Sequence, residues 1–428
     1  MRRTLVVPAV ALLAVLAGCG ASTPAANAGK PGPVNVGVVA PFSGPAAEFG
    51  TLLSAPCYAA TLLMNKVGGV LGHKFQCTPV DDTGDPADAV PNVTRATSTI
   101  SNFEMAVGLE SNTAATTAPI VNGAHIPFVT TNGLVAFNKT KLQYYWRLTP
   151  ADNGNGAAFA VWAVQKGYKR VAVIFENNIG SQGNLPGILT SMPKLGGKIT
   201  INKTIPADAT SYSSVVSTVI SGHPQALLFS GDPQTAATFL ANYSQLNNGN
   251  IPPMITSTDS LTPDFFTAVS KAVGSGYIFH HTYLVGSYFS NTPPAFAAYK
   301  GAMKADPRTH KIADVITTVG PPGSAYDGMN IMALAMLMAK SISGRSYNSF
   351  IPQVVSKKAG AVVVHTFAEG KKALAKGKKI QYVGVTGPVT FNKYHNFSGE
   401  FAVNVFTEGA TARRVGIISG AEVSHLLG

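Results

Sequence analysis

Three features of the sequence predict an α/β fold of two similar lobes, each built on a parallel sheet. Short apolar, β-branched runs alternate with helical stretches, the pattern of βαβ units. That alternation runs twice, with a break at Thr149-Pro150. The chain has 428 residues, of which 46% are hydrophobic, enough for a large core at roughly 100–200 residues per domain.

The elements follow in order. Val34–Ala40 reads as a buried strand. Phe49–Val67 has helical periodicity and stops at Gly68-Gly69. Lys74–Val80 is a strand ending in Asp81-Asp82, and Ala87–Asn102 is helical. Met105–Leu109 and Pro127–Thr131 are strands around helix Thr113–Asn122. The second series begins with helix Ala157–Lys166 and strand Val171–Phe175. Strand Ile199–Ile205, helix Ser213–Ile220, strand Ala226–Phe229 and helix Pro233–Leu246 continue it. Ser324–Ser341 is a long apolar helix whose Met329, Met332, Met336 and Met338 read as core packing.

The N-terminus carries a different signal. Arg2 and Arg3 precede an uncharged run from Thr4 to Ala17, which leads to Leu16-Ala17-Gly18-Cys19. This is the layout of a secretory signal over residues 1–18. The run is too short for a bilayer core of about 30 Å, which needs roughly 20 residues. Leu-Ala-Gly-Cys resembles the lipobox of bacterial lipoproteins, which implies lipidation at Cys19 and a protein held at the outer face of the cell membrane. Residues 19–33, rich in Pro, Gly and Ala, read as a flexible tether.

Composition narrows the function classes. Charged residues are 12%, against about 25% in ordinary globular proteins. The formal charge is +12, and loss of Arg2 and Arg3 with the signal leaves +10. The densest basic segment, Lys371 to Lys379, reads as a solvated helix end and turn rather than a patch for anionic lipid. No aromatic residues interleave with it, so nucleic acid is not an expected partner. Cys57 and Cys77 are an even pair in an oxidising compartment and invite a disulfide, with two buried thiols as the alternative. No CxxC or HExxH is present, and His280-His281 on a strand would point to opposite faces, so no metal or other cofactor is expected. GxSxG, GxxxxGK[ST] and GxGxxG are also missing, which argues against an enzyme.

In open parallel sheets, ligands bind beyond the carboxyl ends of the strands. The loops there include Glu110-Ser111-Asn112-Thr113, Thr130-Thr131-Asn132-Gly133 and Glu176-Asn177-Asn178-Ile179-Gly180. Ser230-Gly231-Asp232 and Ser257-Thr258-Asp259-Ser260 complete the set. Their hydroxyls and amides suit a small polar ligand, and equally suit helix caps.

Several motifs carry a family resemblance. Ala40-Pro41-Phe42-Ser43-Gly44-Pro45-Ala46-Ala47-Glu48-Phe49-Gly50 resembles the opening of branched-chain amino-acid-binding proteins of ABC transporters. Asn65 to Gly72 and Asp81-Asp82-Thr83-Gly84-Asp85-Pro86 follow at the family's spacing. Ala325-Tyr326-Asp327-Gly328 and Gly387-Pro388-Val389-Thr390-Phe391-Asn392 also match family patterns. The resemblance spans roughly residues 34–410.

The resemblance implies a type I periplasmic binding fold: two Rossmann-like lobes joined by three hinge crossovers. By analogy the first lobe is 34–149 plus 283–402 and the second 150–282 plus 403–428, with hinges near Thr149-Pro150, Thr282-Tyr283 and Ala402-Val403. The implied function is a monomeric solute receptor that delivers an amino acid, amide or related metabolite to an ABC permease. A ligand-sensing domain with a separate membrane signalling partner is the alternative. Strand ends and resemblance together give one wall of Phe49, Ser111, Asn112, Thr131 and Asn132. The facing wall has Asn177, Asn178, Asp232 and Asp259, with Tyr283 or Tyr326 closing it. By the resemblance, Asp259 receives a ligand ammonium. Two departures alter the amino-acid grip: Thr131-Asn132-Gly133-Leu134 lacks an expected threonine, and Ile179 replaces an expected aromatic.

Overall fold

The computed structural model describes residues 31–428 except 45–46, 291–293, 318–319 and 398. The signal sequence, Cys19 and all but the end of the tether lie outside the described residues. Among those described, no helix is long and apolar enough to cross a membrane.

The first sheet contains β1 (Val34–Ala40), β2 (Phe75–Asp81), β3 (Phe103–Gly108), β4 (Phe128–Thr130) and β5 (Tyr145–Arg147). Its order is β2-β1-β3-β4-β5, and all pairings are parallel. Side chains alternate across a strand, so a sheet covered on both faces needs apolar residues at every position. β1 does this apart from the half-buried Asn35: Val34, Val36, Val38 and Ala40 join one core while Val39 joins the other. Helix Gly320–Ala339 forms much of the first core, with Met329, Met332 and Met336 fully buried and Met338 packed at its edge.

The second sheet begins with five parallel strands: β6 (Arg170–Glu176), β7 (Lys198–Ile205), β8 (Ala226–Ser230), β9 (Met254–Ser257) and β10 (Thr282–Ser287). A small sheet of β11 (Val362–Val364), β12 (Ile380–Gly384) and β13 (Gly387–Pro388) intervenes. The chain then adds β14 (Phe401–Thr407) and β15 (Thr411–Ile418) antiparallel at the edge beside β10. The order is β15-β14-β10-β9-β8-β6-β7. Here too β6 splits its residues, with Ala172 and Ile174 in one core and Val171, Val173 and Phe175 in the other.

This topology moves two of the expected crossings. Tyr283 and Val403 lie inside β10 and β14, which ladder together with Val285 opposite Val403. Both strands therefore belong whole to the second sheet, which stays intact if the chain crosses after Ser287 and before Phe401. The crossings lie side by side: Tyr288 N–H donates to Glu400 O at 2.9 Å, and Arg147 N–H to His395 O at 3.0 Å. His280 also departs from expectation, because it ends helix Ser275–His280 instead of lying on a strand.

Cys57 on helix Glu48–Lys66 and Cys77 on β2 form a disulfide, with Cα atoms 6.1 Å apart. A loop of this size stabilises by about 3 kcal/mol in the chain-entropy account. Lys371, from the basic segment, donates to Val67 O at 2.8 Å and Gly69 O at 2.7 Å. It thereby satisfies carbonyls at the end of helix Glu48–Lys66, where a cation suits the helix dipole.

The motifs that carry the resemblance are largely scaffold. Asp81 accepts from Phe42 N–H at 2.8 Å and Ser43 Oγ at 2.7 Å, which fixes the loop after β1. Asp82 accepts from Thr113 Oγ1 at 2.8 Å, and Asp85 caps helix Pro86–Thr99 through Ala87 N–H. Asp327 is fully buried and accepts four hydrogen bonds from Tyr382, Val385 and Thr386.

Candidate functional site

A cavity of about 190 Å³ lies where the carboxyl ends of the two sheets face each other. Eight of the eleven expected ligand-site residues line it: Phe49, Ser111, Asn112, Thr131 and Asn132 from one side, Asn178, Asp232 and Asp259 from the other. The two sides meet at its rim. A Cβ placed at Gly180 would lie 3.7 Å from Ser111 Cβ.

The other three are elsewhere. Asn177 is exposed, and its N–H extends the sheet to Ile205 O at 2.8 Å. Tyr283 packs edge-on against Trp162, with ring centroids 5.6 Å apart, on the helix-covered face of its sheet. Tyr326 is buried in the first core against Tyr299, 4.6 Å between centroids. Both tyrosines pack into the cores of their own sheets, Tyr326 fully and Tyr283 in part, because each lies on a face of its element that other elements cover.

Several lining residues are committed to their own backbone. Asn132 is buried; its amide nitrogen donates to Leu109 O at 2.8 Å and to Thr130 Oγ1, and its oxygen accepts from Leu134 N–H. Asn178 accepts from Ser181 N–H at 2.8 Å, capping helix Ile179–Gly183, and donates to Glu176 Oε1 at 2.7 Å. Asp259 is accessible from the cleft and accepts from Ser257 Oγ at 2.9 Å.

Two carboxylates were not singled out by sequence. Glu110 starts helix Ser111–Gly123 and accepts from Asn112 N–H at 2.8 Å and Thr113 N–H at 3.1 Å. Burial pushes its pKa up to about 7, against the pull of the Asn112 N–H and with the push of Asp82. Asp152 opens helix Asp152–Gln165 just after the first crossing. Its carboxylate fits because its neighbours lack side chains: a Cβ at Gly133 would collide with Oδ1, and one at Gly183 would come 2.5 Å from Oδ2. Burial and then Asp259 raise Asp152 to about 7, while Arg147 pulls the other way. Asp232 is raised to about 6 by burial, then by Glu176 and Asp208. The only sequence signal for Asp152 was its position two residues after Pro150; for Glu110 it was membership of a strand-end loop.

Apolar surface comes from Phe49, Leu52, Leu53, Leu261 and Phe265. A concave site with apolar walls and a few convergent polar groups is the usual form of a small-molecule pocket. No catalytic constellation is evident among the lining residues. The acids stand as repelling neighbours, and no hydroxyl is hydrogen-bonded to a histidine.

Comparison with known proteins agrees with this geometry. A leucine-binding protein from Thermotoga maritima superposes with a TM-score of 0.70 at 16% identity, covering 91% of this chain and 99% of that one. A branched-chain amino-acid-binding protein from Streptococcus pneumoniae, solved with isoleucine, gives 0.70 at 16%, covering 90% and 99%. An R. palustris solute-binding protein solved with benzoate gives 0.68 at 17%, covering 90% and 96%. In sequence, a Leu/Ile/Val-binding protein homologue of Brucella melitensis is 37% identical over 57 residues, 13% of this chain and only 16% of its own length. The family profile described as periplasmic binding protein matches residues 33–403, nearly the whole described chain. With its paired parallel sheets and the cleft between them, the chain belongs to the periplasmic binding protein family and has the type I fold.

Proposed function

We propose that this protein is an extracytoplasmic solute-binding lipoprotein that captures a small molecule between two lobes and delivers it to an ABC importer. The carrying observation is the cleft itself, walled by strand-end loops from both sheets. The lobes are best drawn as residues 34–149 with 288–400, and 150–287 with 401–428, so that each sheet stays whole. Neither wall alone completes the site. A ligand that touches both has higher affinity for the closed arrangement and shifts the population toward it. Small-angle scattering on saturation with a ligand is therefore expected to show compaction.

Cleavage before Cys19 and lipidation of that cysteine would hold the protein at the membrane through residues 19–33. One myristoyl-like chain binds only marginally, with K about 10⁴ M⁻¹, so firm retention takes at least two. Cys19→Ser is expected to abolish palmitate labelling and release the protein from the membrane fraction. Labelling that survives the substitution contradicts the anchor.

A further inference from the structure

The charge of the cleft runs against the charge of the chain. The sequence carries a formal +12, yet among the described residues the cavity is lined by four carboxylates and by no lysine or arginine. Arg147, the cation that acts on Asp152, is itself buried; its two terminal nitrogens donate to Leu134 O at 3.0 Å and Asn138 Oδ1 at 2.6 Å, and only its Nε is without a partner.

Most of the helix N-terminal N–H groups that could hold a ligand carboxylate are taken. Helix N-termini bind anions through free N–H groups. At helix Ser111–Gly123 the second and third of these N–H groups already donate to Glu110, so the chain's own carboxylate stands where a ligand's would dock. Ser181 N–H is held by Asn178, and Phe265 N–H by Thr262. The helix starts at Pro233 and Gly320 place prolines at the cleft, which have no N–H to offer.

A third observation points to a cation directly. Asp152 Oδ2 is buried at the cleft wall and has no hydrogen-bond partner. A buried carboxylate oxygen without a partner costs free energy that a bound cation would recover. Asp259, which reaches into the same space, adds a second negative charge beside it.

We propose that the cleft takes an organic ammonium ion without a carboxylate, such as a short alkyl diamine. The ammonium sits against Asp152 and Asp259, and its methylenes lie on Phe49, Leu53 and Phe265. The inference rests on the solute-binding reading above and narrows its ligand class.

Calorimetry with 1,4-diaminobutane, 1-aminobutane, leucine and benzoate tests it. The amines are expected to bind, with leucine and benzoate at least about tenfold weaker. Asp152→Asn, which keeps the shape, is expected to weaken the diamine by about tenfold or more, as loss of one partner of a desolvated charge pair does. Glu110→Ala frees the Asn112 and Thr113 N–H groups and is expected to narrow the gap between leucine and the amines. Tighter binding of leucine or benzoate than of either amine overturns the inference and leaves the solute-binding reading standing. Absence of amine binding up to millimolar concentration, or equal diamine affinity in Asp152→Asn, overturns it as well. The solute-binding reading falls separately, if no small molecule of any class binds.

Discussion

Replacing Asp327 with alanine is expected to destabilise the protein by on the order of 4 kcal/mol, because four buried donors lose their acceptor together. Tyr382 Oη, Thr386 Oγ1 and the N–H groups of Val385 and Thr386 converge on its two oxygens at 2.6–3.1 Å. These contacts tie helix Gly320–Ala339 to the turn after β12, deep in the first core. Asp327→Asn keeps the volume but turns two N–H donors toward groups that are themselves donors, so it too should destabilise. Denaturant unfolding reads both. A loss below about 1 kcal/mol in Asp327→Ala would show that water replaces the acceptor at little cost.

The acids of the cleft should make the ligand-free protein lose stability as pH rises from about 4 to 7. Glu110 and Asp152 have ordinary values of 4.5 and 3.8, and the fold raises each to about 7. A raised folded value means that folding favours the neutral acid. The stabilisation is whole below the ordinary value and is lost as pH climbs through the folded one. Each unit is worth about 1.4 kcal/mol, so about 3–5 kcal/mol per group is at stake before relaxation reduces it. The groups facing Asp152 are Asp259 and Arg147, and Asp82 faces Glu110; none reverses the sign. Asp152→Asn is therefore expected to gain at least about 1 kcal/mol at pH 8 and to change little at pH 4. Thermal unfolding across this range measures it. Stability that rises from pH 4 to 7, or an Asp152→Asn variant weakened at pH 8, contradicts the account.

The residues explain what was legible in the sequence. β1 is legible to the residue because both its faces are buried, so every position from Val34 to Ala40 except the half-buried Asn35 is small or β-branched. The cleft loops were legible because ligands gather at strand carboxyl ends whatever the side chains are. The second and third crossings were not, because β10 pairs with β14 across more than a hundred residues of chain. Local pattern carries no record of that partner. Asp152 was missed for a related reason: what makes it a cleft acid is the bare backbone of Gly133 and Gly183 on either side. Tyr326 lies away from the cleft although its motif resembles one that marks the family's site. Its neighbour Asp327 shows the motif to be a core fastening.

Ligand held between the two sheets should close them. Small-angle scattering of the wild-type protein beside Gly180→Trp decides whether it does. Gly180 faces Ser111 across the rim, where an indole would hold the walls apart. The account predicts a smaller radius of gyration when the wild type is saturated with a ligand found by screening, and no compaction in Gly180→Trp. An unchanged wild-type radius at saturation, with the ligand-free form shown to be open, would contradict capture by closure.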